Sequence, residues 1–180
     1  LFPSSFNEEG LPQGWSLKPL NTVTNIVYGK NLPKTKLKPS GYPVFGGNGV
    51  IGYHSEYLYE EPQVLVACRG AASGKVLRST PKCFVTNNSL VIELSDAPFN
   101  RYFVELYLRY LTLEEFTSGS AQPQMTIANM DAVKILLPNS NILYRFGNIA
   151  APVFAKVYAN EIENQALALL RDALLPKLMS

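Results

Sequence analysis

Residues Val66–Val76 read VACRGAASGKV, a stretch that follows an apolar run and carries Gly-Lys near its end. Read as a phosphate loop, the stretch makes the chain a nucleotide hydrolase. Read as two strands and a turn, it makes the chain β-rich. A phosphate loop needs G-x-x-x-x-G-K-[ST], so that backbone amides cradle phosphate, Lys reaches the terminal phosphates and a hydroxyl holds magnesium. Here three residues, not four, separate Gly70 from Gly74, and Val76 stands where the hydroxyl belongs. The following Leu77-Arg78-Ser79-Thr80 is not an obvious helix, and a helix N-terminus supplies much of the anion affinity. The hydrolase reading fails. What remains is a strand ending in Arg69, a small-residue turn and a strand starting at Lys75.

The neighbouring sequence agrees. Short strand candidates surround the stretch: Pro43–Phe45, Gly49–Tyr53, Gln63–Cys68, Lys75–Arg78, Phe84–Thr86 and Leu90–Leu94. They are too short and too closely spaced for repeated βαβ units. Gly46-Gly47-Asn48-Gly49 has the composition of a tight turn. Ser16–Tyr28 suits a strand or a short helix, and Lys30–Tyr42 is a basic loop broken by Pro33, Pro39 and Gly41. Pro98–Leu111 carries Phe99, Tyr102, Phe103, Leu106, Tyr107 and Tyr110 at helical spacing, with Asp96 as N-cap and Pro98 in the first turn. Thr117–Thr126 reads as a flexible polar loop. Ile127–Leu137 reads as a helix fragment and a strand.

The last forty residues differ in kind. Tyr144, Phe146, Ile149, Val153, Val157, Ile162, Ala166, Leu169 and Ala173 recur every two to five residues, and Leu167, Leu170 and Leu174 widen the face. This predicts a long amphipathic helix with a kink or restart at Pro152. One small domain is too short to cover it, so Val153, Val157, Ile162, Ala166, Leu169, Leu170 and Leu174 are the expected helix-pairing positions. The fold class is α+β. The boundaries are a linker over 1–14, a β-rich domain over 15–140 and the helix over 141–180.

The 180 residues are 47% hydrophobic and 17% charged, enough for a core. Net charge is +2, but its distribution is uneven. Through Lys82 there are nine Lys/Arg and five Asp/Glu, a balance of +4; from Cys83 onward there are seven and nine, a balance of −2. The basic excess lies at Lys30, Lys34, Lys36 and Lys38, then at Arg69, Lys75, Arg78 and Lys82, and it points to an anionic partner. Cys68 and Cys83 sit in strand-like contexts and read as buried thiols rather than a disulfide or a metal pair. The one histidine, His54 beside Glu56, builds no metal site alone, so no catalytic and no metal residue is expected. No signal peptide is visible, and no apolar run approaches the ~20 residues of a membrane span. The chain reads as cytoplasmic. Its opening lacks Met and reads as part of something longer.

Arg69, Ser73 and Lys75 therefore share one rim with Asn48 of the glycine turn and Tyr53. Such a rim can meet a DNA backbone and reach base edges. The expected DNA-binding set adds Lys30, Lys34, Lys36 and Arg78, and from the polar loop Ser118, Ser120, Gln122 and Gln124. Glutamine has the chemistry for two-pronged contact with adenine. One competing reading is a stand-alone carbohydrate- or protein-binding module using Tyr53, Tyr57 and Tyr59. Another is an enzyme using His54 and Glu56.

The order of motifs carries a resemblance. Pro12-Gln13-Gly14-Trp15 matches a P-x-G-W opening. There follow GGNGVIG (Gly46–Gly52), VLVACRGAASGKV, FVTNNSLVI (Phe84–Ile92), an aromatic helix, GSAQPQMT (Gly119–Thr126), ILLP (Ile135–Pro138) and ENQALALLRDALLPKLMS (Glu163–Ser180). Together they resemble one half of the DNA specificity subunit of a type I restriction-modification system, over nearly the whole chain. The resemblance implies a target recognition domain that reads one half of a bipartite site in double-stranded DNA. It also implies a conserved helix that pairs with a second specificity half, in the same chain or in a homodimer. Methylation subunits and a restriction subunit would be the partners. S-adenosylmethionine, ATP and magnesium would sit on those partners, with no cofactor on this chain and no catalysis by it.

Overall fold

The computed structural model describes residues 5–95, 97, 99–119 and 121–178, with side chains through residue 176. The expected cap Asp96, Pro98 and the candidate Ser120 lie outside the described residues.

The centre is a four-stranded antiparallel sheet in the order β2-β8-β5-β6. Its strands are β2 (Asn25–Tyr28), β8 (Ser89–Glu93), β5 (Val64–Ala67) and β6 (Val76–Arg78). Side chains alternate across a strand with period two, and both faces are used here. Ile26, Val64, Val66, Val76, Leu90 and Ile92 enter one core, while Val27, Leu65, Leu77 and Val91 enter another. That explains the unbroken apolar run of β5, in which all four residues are buried.

The larger core is closed by α1 (Arg101–Tyr110), α2 (Ile127–Met130) and a ribbon of β1 (Ser16–Pro19) with β9 (Lys134–Leu137). The smaller one is closed by a three-stranded sheet in the order β4-β3-β7. Its strands are β3 (Tyr42–Gly46), β4 (Gly49–His54) and β7 (Phe84–Val85). The β3–β4 pair is antiparallel, and β3–β7 is parallel. The α+β class holds, and the six expected strands of the middle region all form. Ser16–Tyr28 is not one element, because a 3-10 turn at Leu20–Thr22 separates β1 from β2.

The first long helix starts later than the sequence suggests. The described cap is Asn100, whose Oδ1 accepts the Phe103 N–H at 2.9 Å. The Asn100 amide also donates to the Leu143 carbonyl at 2.9 Å, which ties this cap to the final helix.

That final helix, α3 (Ser140–Leu178), runs 39 residues, about 58 Å at 1.5 Å per residue. It continues through Pro152 without a restart. Pro152 and Asn148, whose carbonyl it leaves without a helical N–H, are both exposed, so water can satisfy that oxygen. The first half of α3 docks on the globule through buried Leu143 and Ala150. Phe146 meets Phe103 edge-on at 5.9 Å, and Phe154 meets Tyr102 at 4.8 Å. Beyond Glu161 almost nothing is covered, and Ile162, Leu167, Leu169, Leu170, Leu174 and Leu175 are exposed.

The seven expected pairing positions do not share one face. Nine residues, about two and a half turns, separate Val153 from Ile162 and Val157 from Ala166. Val153 and Val157 therefore continue the stripe of Ile149. Ile162, Ala166 and Leu169 form another on the opposite side, while Leu170 lies between the two and Leu174 returns toward the Ile149 stripe. The spacing pattern masked this because the five-residue step from Val157 to Ile162 reads as continuous.

Candidate nucleic-acid interface

Five polar segments meet at one end of the globule. The β5–β6 connection is drawn tight by backbone: the Ala67 N–H donates to the Lys75 carbonyl, and the Gly74 N–H to the Ala67 carbonyl, both at 2.9 Å. Gly74 has φ +90°, and a Cβ there would lie 2.8 Å from the Glu114 backbone nitrogen, so only glycine fits.

The polar loop over 117–126 is fastened to this connection, which corrects its reading as flexible. Ser118 and Gln124 exchange backbone hydrogen bonds at 2.9 and 2.8 Å, Gly70 donates to the Pro123 carbonyl, and Met125 donates to the Cys68 carbonyl. Met125 is buried, and Thr126 with Asn129 forms a capping box that ends the loop.

Two more turns join from the other side. The Cys68 N–H donates to the Asn88 carbonyl at 3.0 Å, which brings the Thr86–Ser89 turn beside Arg69. A Cβ on Gly47 would meet the Asn88 oxygen at 3.2 Å and the Ala67 Cβ at 3.8 Å, so the GGNG turn packs there too. The fifth segment is Lys30. Its N–H donates to the Val85 carbonyl, and its own carbonyl accepts from Asn87.

Lys30, Asn48, Arg69, Lys75, Asn88, Ser118, Gln122 and Gln124 are exposed at or beside this junction. The contributing segments 29–30, 46–49, 67–75, 86–89 and 117–126 contain no Asp or Glu. Lys75 Nζ donates to Asn48 Oδ1 at 2.7 Å, so the cation and the amide are held together. Arg69 is exposed and makes no ion pair among the described residues. The surface can accept a polyanion and offers four amide side chains, counting Asn88 with Asn48, Gln122 and Gln124. Asn88 was not among the expected residues. Its signal was the Asn-Asn pair between two strands, a turn composition.

Other expected residues lie elsewhere. Ser73 is buried, and its hydroxyl donates to the Pro123 carbonyl at 2.8 Å, so it fastens the loop and offers nothing outward. Arg78, at the far end of β6, turns to Glu105 and Glu161 and away from solvent, its side chain only 15% exposed. It is withdrawn from the candidate surface. Lys34 and Lys36 are exposed on a 3-10 turn in the basic loop. That loop runs along the outer edge of β4, where Lys38 pairs with exposed Tyr53. They form a flank to the junction rather than its centre.

The competing chemistries do not assemble. His54 Nδ1 accepts the Glu56 backbone N–H at 3.2 Å, and the ring packs on Phe84, so His54 closes a turn and forms no dyad with the Glu56 carboxylate. Tyr59 is drawn inward, donating to Glu93 Oε1 at 3.3 Å, with its pKa pushed up to about 12 by burial and that carboxylate. Tyr57 packs edge-on against Tyr42 at 4.9 Å. Cys68 and Cys83 are free and buried, and burial pushes both thiols up, away from the reactive thiolate. No group of three metal-ligating side chains occurs among the described residues.

Comparison with known proteins identifies the family and the fold. A family model described as the type I restriction modification DNA specificity domain matches residues 12–171. The MjaIX type I restriction enzyme specificity subunit of Methanocaldococcus jannaschii is 25% identical over 96% of this chain and 45% of its own length. The HindI specificity subunit of Haemophilus influenzae is 24% identical over 94% of this chain and 42% of its own. Among solved structures, a type I restriction-modification S subunit from M. genitalium superposes with a TM-score of 0.71 at 19% identity, covering 99% of this chain and 48% of that one. The HsdS subunit from Thermoanaerobacter tengcongensis gives 0.60 at 24% identity, covering 98% and 45%. The chain thus spans less than half the length of these relatives. With the family model matched across most of its length, the chain belongs to the type I restriction modification DNA specificity domain family.

Proposed function

We propose that the chain is a non-catalytic DNA-recognition module that reads one half of a bipartite target and directs partner subunits to it. The observation that carries this is the junction of five segments rich in Lys, Arg, Asn and Gln and free of carboxylates. Lysine and arginine at such a surface neutralise phosphates and make affinity fall with salt. The amides discriminate base edges in the major groove. The apolar, uncovered distal half of α3 suits pairing with a second specificity half, and methylation and restriction subunits complete the assembly. S-adenosylmethionine, ATP and magnesium belong, on this reading, to those partners.

Co-expression with cognate methylation subunits, followed by mapping of adenine methylation across the host genome, tests the proposal. A new spaced motif is the expected result. Its absence, together with salt-insensitive DNA binding by the purified chain, overturns the reading. If two copies associate about a two-fold axis, the motif is a spaced palindrome, because protein and site symmetry match.

A further inference from the structure

One heavily partnered charge lies away from the loop junction. Arg78 ends β6 at the opposite side of the globule, in the seam between α1 and α3. Its Nη1 lies 3.8 Å from Glu105 Oε2, and its Nη2 lies 3.4 Å from both carboxylate oxygens of Glu161. Its guanidinium carbon sits 4.9 Å from the centre of the Phe154 ring. Three elements thus converge on one planar cation: β6 supplies it, α1 supplies Glu105 and α3 supplies Glu161 and Phe154. Glu105 is itself buried and shared with Arg109 at 3.0 Å, so its place is fixed from the globule side. Arginine suits this seat because its flat fork can bond two carboxylates while its face stacks on a ring.

The seam around Arg78 is otherwise loosely filled. A cavity of about 330 Å³ lies there, lined in part by Pro62, Tyr102, Phe154 and Tyr158. Glu161 is also the last α3 residue with a tie to the globule among the described side chains, and residues 162–176 are exposed or, at Ala168, partly so. A small rotation of α3 about this seam moves the far end of the helix, some 17 residues or about 25 Å further on, through a large arc.

We propose that Arg78 is a positioning residue: by joining Glu105 to Glu161 and Phe154 it sets the angle at which the recognition domain is carried on the long helix. The inference rests on the reading above for its consequence, which is that this angle fixes the separation and rotational phase of two half-sites.

The test starts with the free chain and needs no DNA. Spin labels at Ser55→Cys on the globule and Asn164→Cys on the helix report one distance distribution, with unlabelled chain in excess to suppress signals between copies. The native cysteines are buried. Arg78→Met broadens the distribution. Because that change leaves buried Glu105 with Arg109 alone, Glu161→Gln combined with Phe154→Leu provides a second arm that leaves the Arg78–Glu105 contact in place. It broadens the distribution too, with the melting temperature of the globule kept. An unchanged distribution in the double variant overturns the proposal.

A third arm assembles the double variant with methylation subunits and compares bipartite targets whose spacer is lengthened or shortened by a single base pair. Loss of discrimination between spacers, with half-site affinity unchanged, is expected; retained discrimination overturns the consequence for spacing. If the wild-type chain shows no salt-dependent DNA binding, the recognition reading fails and the label distances still decide the role of Arg78.

Discussion

The two ends of this molecule solve opposite problems. At the loop end, polar side chains are exposed on a backbone already tied down: Ser118 to Gln124, Gly70 to Pro123, Cys68 to Asn88. At the helix end, apolar side chains are exposed on an element whose residues 162–176 are left uncovered apart from partly exposed Ala168. The difference follows from what each surface gains on binding. A surface that reads hydrogen-bond patterns needs its geometry set beforehand, because ordering loops upon contact subtracts from affinity. An apolar stripe gains from loss of water and needs little more than helical spacing.

Disrupting the helix end should produce the largest effect. Leu169→Glu with Leu170→Glu removes two side chains worth about 1.5–3 kcal/mol each when buried at an interface. Association falls at least tenfold, by the affinity arithmetic of ~1.4 kcal/mol per decade. Thermal melting of the globule is unchanged. Light scattering on the chain with its specificity partner checks this, and unaltered association removes the distal stripe from the pairing surface. Val153→Glu, on the opposite stripe, sharpens the contrast by leaving that pairing intact.

Changes at the loop end should be smaller and should split by chemistry. Asn88→Ala relaxes preference at a single base pair by about 1–3 kcal/mol if the amide contacts a base edge. Lys75→Ala weakens all sequences alike and lowers the salt slope by about one unit. Anisotropy titrations over a salt series with matched and mismatched duplexes separate the two. Identical behaviour of both variants would mean that the junction is a uniform electrostatic patch and reads nothing.

The smallest expected effect is alkaline. Tyr59 has its pKa raised to about 12, so the neutral phenol favours the folded globule. That contribution is complete below the ordinary tyrosine value of about 10 and is lost as pH rises through about 12. Tyr59→Phe should flatten the decline of globule stability over that window, followed by denaturant melts at rising pH. An unaltered decline places the sensitivity elsewhere.

Much of this architecture can be read in the sequence because it depends on near neighbours. The strand-turn-strand at Gln63–Arg78, the glycine turn and the long helix each follow from local spacing. What escaped depends on the partner across space. Ser73 and Lys75 are two residues apart, yet one is buried against Pro123 and the other is exposed beside Asn48. Arg78 belongs by composition to the basic patch, but β6 carries it to the other end of the strand and toward α1 and α3. Asn88 joins the junction only because β8 lies beside β5. Helical spacing predicted α3 but tolerated the five-residue step at which its apolar stripe changes sides.

The central sheet has a final consequence. Since β5 and β8 spend their side chains on two interiors at once, none is left over for recognition. The exposed polar residues of the junction sit instead on turns, whose inner positions Ser73, Gly74 and Met125 are held by the fold. Sequence change at the outward positions Asn48, Asn88, Gln122 and Gln124 is only loosely coupled to folding, so on the proposed reading the address can be rewritten there while Ser73, Gly74 and Met125 keep the frame constant.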